Sequence, residues 1–148
     1  MPTFDKVHPV LHSAGKMFDL VGDVERYPEF VPLCKSLTIR SRRDKRHCEL
    51  LITDMSVGYK AIKESFTCQV LLNRPDLLID VKYIDGPFRH LDNRWHFAAT
   101  GEHSCDVNFH IDYEFKSRML GLLMGSMFET AFKRFTAAFE KRADTLYA

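Results

Sequence analysis

The chain has 148 residues, 45% of them hydrophobic and 28% charged, with a formal net charge of +1 at pH 7. That length predicts a single domain over residues 1–148, able to bury about two-thirds of its unfolded surface without metal or disulfide staples. The near-neutral charge argues against a dedicated DNA or RNA binder, and four dispersed cysteines (Cys34, Cys48, Cys68, Cys105) predict buried thiols in a reducing compartment rather than a disulfide framework.

Phe4 to Leu11 reads as a strand, and Pro9 places it at a sheet edge. Ser13 offers an N-cap for a helix over Ala14–Val21, with Met17, Phe18, Leu20 and Val21 at helical spacing and Gly22 at its end. Asp23 can start a second short helix, Val24 to Phe30, which Pro28 restricts to a turn or so. From Leu33 the period changes to two. Leu37 and Ile39 lead into a basic turn, Ser41 to Arg46, and Cys48 to Met55 returns as its hairpin partner.

Gly58 marks a further turn, Tyr59 to Leu72 a strand, and Asn73-Arg74-Pro75-Asp76 another turn. Leu77 to Ile84 is a strand that Asp85-Gly86-Pro87 breaks. Asn93 to Thr100 carries Trp95, Phe97 and Ala99 on one face. After Gly101-Glu102-His103, the residues Val107, Phe109, Ile111, Tyr113 and Phe115 alternate with polar ones in the clearest strand of the chain. Ser117 to Tyr147 is one long helix. Its first part, Met119 to Met127, is uncharged, and Phe128, Phe132, Phe135, Phe139 and Leu146 form one face of the remainder.

The order is therefore a strand, two short helices, five or six antiparallel strands and one helix long enough to cover them. That is an α+β fold in which a curved sheet wraps the C-terminal helix.

Chemical motifs are sparse. The seven histidines are scattered, with no HExxH and no zinc-finger spacing. GxSxG, GxGxxG and GxxxxGK[ST] are absent. Glu64 interrupts an apolar strand face between Ile62 and Phe66, where it either points inward as an acid or base or lies in water at a strand end. Arg42, Arg43, Lys45 and Arg46 form a cluster that suits anionic headgroups or RNA phosphates, or else a solvated hairpin tip.

The apolar constellation says most. Trp95, Phe97, Phe109, Ile111 and Tyr113 are expected to line the concave sheet, opposite Met119, Leu122, Leu123, Met127 and Phe128 of the helix. Most such residues are core. Flexible Met and Leu with Gly121 and Gly125 suggest spare space as well, and an apolar cavity with few polar groups suits a lipid or polyprenyl ligand. On this reading Met119–Met127 is a lid and Phe128–Leu146 an anchor.

Four stretches, MFDLVGDVERYPEFVPLC (Met17 to Cys34), GPFRHLDNRWHF (Gly86 to Phe97), VNFHIDYEF (Val107 to Phe115) and FETAFKRFTAAFEKRADTLY (Phe128 to Tyr147), closely resemble the coenzyme-Q-binding START-domain family. The resemblance runs over nearly the whole chain. It implies the helix-grip (START-like) fold and a non-enzymatic chaperone of ubiquinone, or a similar polyprenyl lipid, that supports respiratory electron transfer. Ubiquinone would be a bound ligand and not a covalent cofactor. The same family includes ribosome-association toxins, so a ribosome-binding translation inhibitor is the alternative. A polyketide-cyclase enzyme, the label of the wider superfamily, has no motif here to support it.

The implied setting is bacterial, cytoplasmic or peripheral on the inner membrane, with a membrane surface met transiently. In a eukaryote it would be the mitochondrial matrix side. Tyr27, Pro28, Phe30, Val31 and Pro32 carry over as a rim beside the pocket mouth, or else form a helix–helix corner packed on the sheet. Leu33 stands where many relatives have an aromatic residue, which bears on ligand preference if that position lines the entrance.

Overall fold

The computed structural model describes residues 3–59 and 62–147. Seven strands form one antiparallel sheet: β1 (Thr3–Val10), β2 (Cys34–Lys45), β3 (Cys48–Tyr59), β4 (Ile62–Asn73), β5 (Leu78–Asp85), β6 (Phe88–Gly101) and β7 (Ser104–Phe115). Their order is β1-β7-β6-β5-β4-β3-β2, so the chain meanders from β2 to β7 and β1 returns to the far edge. α1 (Ala14–Gly22) and a 3₁₀ turn (Val24–Glu29) connect β1 to β2, and α2 (Arg118–Tyr147) closes the chain. This is the α+β helix-grip architecture expected from the element order.

Local chemistry explains the joints. The Ser13 hydroxyl caps α1 by accepting from the Lys16 amide at 3.2 Å. Pro9 lies on edge strand β1, where a missing amide matters least. Gly86 bridges β5 and β6 at φ +144°, and a Cβ there would lie 2.5 Å from Phe66 Cβ, so the turn requires glycine. Asn73 and Asp76 close the β4–β5 turn through two mutual hydrogen bonds.

Three boundaries differ from the sequence reading. Ser41 to Lys45 continue β2 instead of forming a turn, and the reversal falls at Arg46-His47, with Arg46 at φ +50°. Gly58 lies inside β3 opposite Lys63, and the tip of that hairpin falls outside the described residues. β6 begins at Phe88, five residues before the expected Asn93.

The concave face carries the core. Leu51, Ile79, Trp95, Phe97, Val107, Phe109, Ile111 and Tyr113 project from the strands and are buried. Met124, Phe128, Ala131, Phe132, Phe139 and Ala143 meet them from α2. The series Met124, Phe128, Phe132, Thr136, Phe139 and Ala143 advances in steps of three and four, which keeps one face inward. Leu146, expected on that face, is 51% exposed, and Ala143, one step of four beyond Phe139, is the last residue of the helix that is buried. The buried cysteines Cys34, Cys68 and Cys105 have their thiol pKa values pushed up, to about 11, 12 and 11, with burial the leading cause.

Candidate functional site: an apolar cavity under the C-terminal helix

Sheet and helix do not close completely. A cavity of about 120 Å³ lies between them. Its floor is Met55, Phe66, Val70, Ile79, Val81 and Trp95, among other inward residues of β3 to β7. Phe128, Ala131, Phe132, Phe135 and Phe139 of α2 form the roof, and Tyr27, Val31 and Leu33 close one side.

The few polar groups in this wall are all engaged. The Tyr27 hydroxyl donates to the Val21 carbonyl, and the Thr53 hydroxyl donates to the Cys68 carbonyl at 3.4 Å. Asn93 donates through Nδ2 to the His110 carbonyl at 2.8 Å and accepts from Trp95 Nε1 at 3.1 Å. No Asp, Glu, His, Lys or Arg side chain lines the cavity among the described residues. Tyr27 and Cys68 are the titratable groups present, and burial pushes both above their ordinary values. Satisfied polar groups in a desolvated wall present an apolar surface to whatever enters.

Of the residues singled out from sequence, Leu33, Trp95, Ile111 and Phe128 line the cavity, as do Tyr27 and Val31 of the rim segment. Phe97, Phe109 and Tyr113 are buried in the surrounding core instead. Tyr113 packs 5.3 Å from Phe132, and burial raises its hydroxyl pKa. Phe30 is a packed corner: its ring meets Phe139 at 5.1 Å and lies under the Arg142 guanidinium. Arg142 also donates to Glu29 at 2.7 Å, and this bond, with that from Arg26, holds the Glu29 carboxyl below the usual range. Pro32 is half-buried beside Leu33, outside the wall.

The expected lid is turned the other way. Met119, Leu122 and Leu123 are exposed and Met127 is half-buried outside the wall; Leu120, Met124 and Phe128 occupy the inward register. Glu64 shares the inward parity of Phe66 but sits opposite Val57 near the strand end, outside the cavity wall.

Asn93 and Thr53 were missed from sequence, although parity marks both: each stands two residues from an inward apolar neighbour, Trp95 and Leu51. Leu33 holds the left-handed conformation at φ 68°. Its carbonyl accepts from the Gly58 amide at 3.0 Å, tying the rim to β3.

A curved antiparallel sheet and a covering C-terminal helix, with an apolar cavity between them, define a helix-grip domain. Comparison with known proteins places it further. Residues 10–140 match the family described as polyketide cyclase / dehydrase and lipid transport, and the chain belongs to that family. It is 33% identical to the ribosome association toxin RatA of Vibrio cholerae, over 93% of this chain and 92% of that one. It is 30% identical to the mitochondrial coenzyme Q-binding protein COQ10 of Dictyostelium discoideum, over 92% of this chain and 66% of that one. A START superfamily protein from Mycobacterium smegmatis shares the fold, with a TM-score of 0.81 at 21% identity over 97% of this chain and 98% of that one.

Proposed function

We propose that the protein binds and chaperones ubiquinone or a similar polyprenyl lipid, without catalysing a reaction. The observation that carries this reading is the cavity wall, mostly apolar and with its few polar groups already hydrogen-bonded. A guest there gains by burying its own apolar surface, at about 25 cal/mol per Å². General acid–base catalysis needs a titratable group near neutrality facing the substrate, and none lines this cavity among the described residues. The coenzyme Q-binding name of one relative supports the same reading.

Size sharpens it. An engineered cavity of roughly 150 Å³ holds one benzene ring. The 120 Å³ here therefore suits one ring or one isoprene unit, and a whole quinone requires the helix and sheet to part further. The test is to purify the protein from a quinone-producing bacterium, extract it with organic solvent and search for quinone by mass spectrometry. A protein that emerges empty, and takes up no quinone when offered it, overturns the proposal.

A second reading, ribosome binding, draws on the name of the Vibrio cholerae relative and on the β2–β3 tip. Arg40 and Arg42 are neutralised by Asp54 and Glu49, whereas Arg43, Lys45 and Arg46 make no ion pair among the described residues. Reversing those three charges should abolish co-sedimentation with ribosomal subunits. Wild-type protein that does not co-sediment removes this reading and leaves the first untouched.

A further inference from the structure

Among the described residues, seven large apolar side chains are exposed, and three of them share the first two turns of α2: Met119 at 70%, Leu122 at 80% and Leu123 at 54%. Spacings of three and four put them on one face, while Leu120, Met124 and Phe128 fasten the opposite side to the core. No acidic residue occurs from Lys116 to Phe128. Lys116 and Arg118 begin the segment and Arg89 stands beside it, bordering the same shallow groove as Gly121 and Gly125. The nearest acids are engaged: Glu114 lies 3.9 Å from Arg89, and Glu129 pairs with Lys133 at 3.5 Å.

We propose that this strip is a docking surface for an anionic lipid bilayer, and that the first turns of α2 lie in the headgroup boundary. A short apolar face with a cationic border fits that occupant. The apolar side chains enter the acyl edge and the cations remain among lipid phosphates. No helix is long and apolar enough to cross a membrane among the described residues, so the contact is with the surface. A second copy of the chain fits poorly, because a stable protein interface takes about 20–30 residues on each side.

Two rival surfaces lack one half of the chemistry. The β2–β3 tip has Arg43, Lys45 and Arg46 but no exposed large apolar residue. In the YPEFVP segment, Phe30 is already covered by Phe139 and Arg142. The cavity roof begins at Phe128, about one turn beyond Leu123–Met124. Docking the strip therefore brings the bilayer beside the cavity. The strip requires nothing in the cavity, so this proposal and the quinone reading fail separately.

The test is vesicle co-sedimentation of the full chain, with phosphatidylcholine alone and mixed with phosphatidylglycerol. Wild type should pellet with the mixed vesicles, less with neutral ones, and less at high salt. The triple variant M119S/L122S/L123S should lose binding on the order of a hundredfold with an unchanged melting temperature, since all three side chains are exposed. K116E/R118E should lose about tenfold on anionic vesicles. R43E/K45E/R46E should bind as wild type. Wild type that stays in the supernatant overturns the proposal, as does a triple variant that binds normally. So does a wild-type dimer that the triple variant converts to monomer, because the strip would then be covered by a second copy.

Discussion

The two ends of α2 both carry large apolar side chains, and those side chains have opposite fates. From Phe128 onward the helix buries Phe128, Ala131, Phe132, Phe139 and Ala143, and outlying bonds fasten it. His8 meets Glu140 at 2.9 Å, His12 meets Asp144 at 2.6 Å, and Arg142 meets Glu29 at 2.7 Å. Before Phe128 it buries Met124 alone and turns Met119, Leu122 and Leu123 outward. A helix's apolar content does not by itself say what the helix covers. The inward phase is set by the half with a polar face to contrast, and the uniform half inherits it.

The sharpest way to break that comparison is one truncation in each half. Phe139 is 1% exposed and meets Tyr27, Phe30 and Trp95 with ring centroids 5.1–5.4 Å apart. Phe139→Ala should cost about 3–5 kcal/mol, read as a lower denaturant midpoint at constant slope. Met119→Ala should stay within about 0.5 kcal/mol. Equal costs would show that the first half packs on something in solution.

Next in size is a change of ligand and not of fold. Ala131 lies in the cavity roof and is 5% exposed. Ala131→Leu places three more carbons in the cavity, and stability should fall by no more than the roughly 1–3 kcal/mol of a small-to-large core change. Quinone recovered by extraction should fall roughly tenfold, since the added side chain takes the volume the guest would bury. Unchanged recovery would mean that the lipid lies elsewhere.

Most strands were legible because they have a wet face and a dry face. Period two in Val107 to Tyr113 and at Trp95 and Phe97 marks the inward rows. The β2–β3 tip was not legible, because residues 41–47 are exposed on both faces and have no alternation to read. The face of Met119–Met127 was hidden for the opposite reason: nine uncharged residues contain no marker of the wet side. The cavity lies between sheet and helix as expected, with Trp95 and Ile111 in its wall, and differs on the helix side. Its roof belongs to the helix half taken for a plain anchor, since side-chain volume left unfilled between curved layers is a property of packing, not of pattern.

A smaller effect probes the wall. Tyr27→Phe removes the bond to the Val21 carbonyl and should cost about 1 kcal/mol at neutral pH. Burial raises the Tyr27 pKa in the folded state. The folded protein therefore keeps the phenol neutral where the unfolded chain, with an ordinary value near ~10, already ionises. This stability is fully present below that value and is lost as pH rises through the folded pKa, by up to about 1.4 kcal/mol per pH unit. In alkaline urea titrations the wild type should weaken more steeply than Tyr27→Phe. Parallel slopes would mean that the hydroxyl is hydrated.

The gentlest test acts on stiffness. A Cβ at Gly125 would meet nothing within 4 Å, and one at Gly121 would touch Phe115 at 3.7 Å, an ordinary contact. Neither glycine is required sterically, so both cost helix stability through backbone entropy. Gly125→Ala should therefore stabilise the protein by roughly 0.5–1 kcal/mol. If parting the first half of α2 from the sheet admits the quinone, the same change should slow uptake while leaving the amount bound at equilibrium nearly unchanged, because residue 125 lies outside the cavity wall. Stopped-flow quenching of Trp95, the chain's single tryptophan and part of the cavity floor, reads the rate directly. A stabilised variant with an unaltered rate would place the entrance at another edge of the cavity, beside Leu33 and its bond to Gly58.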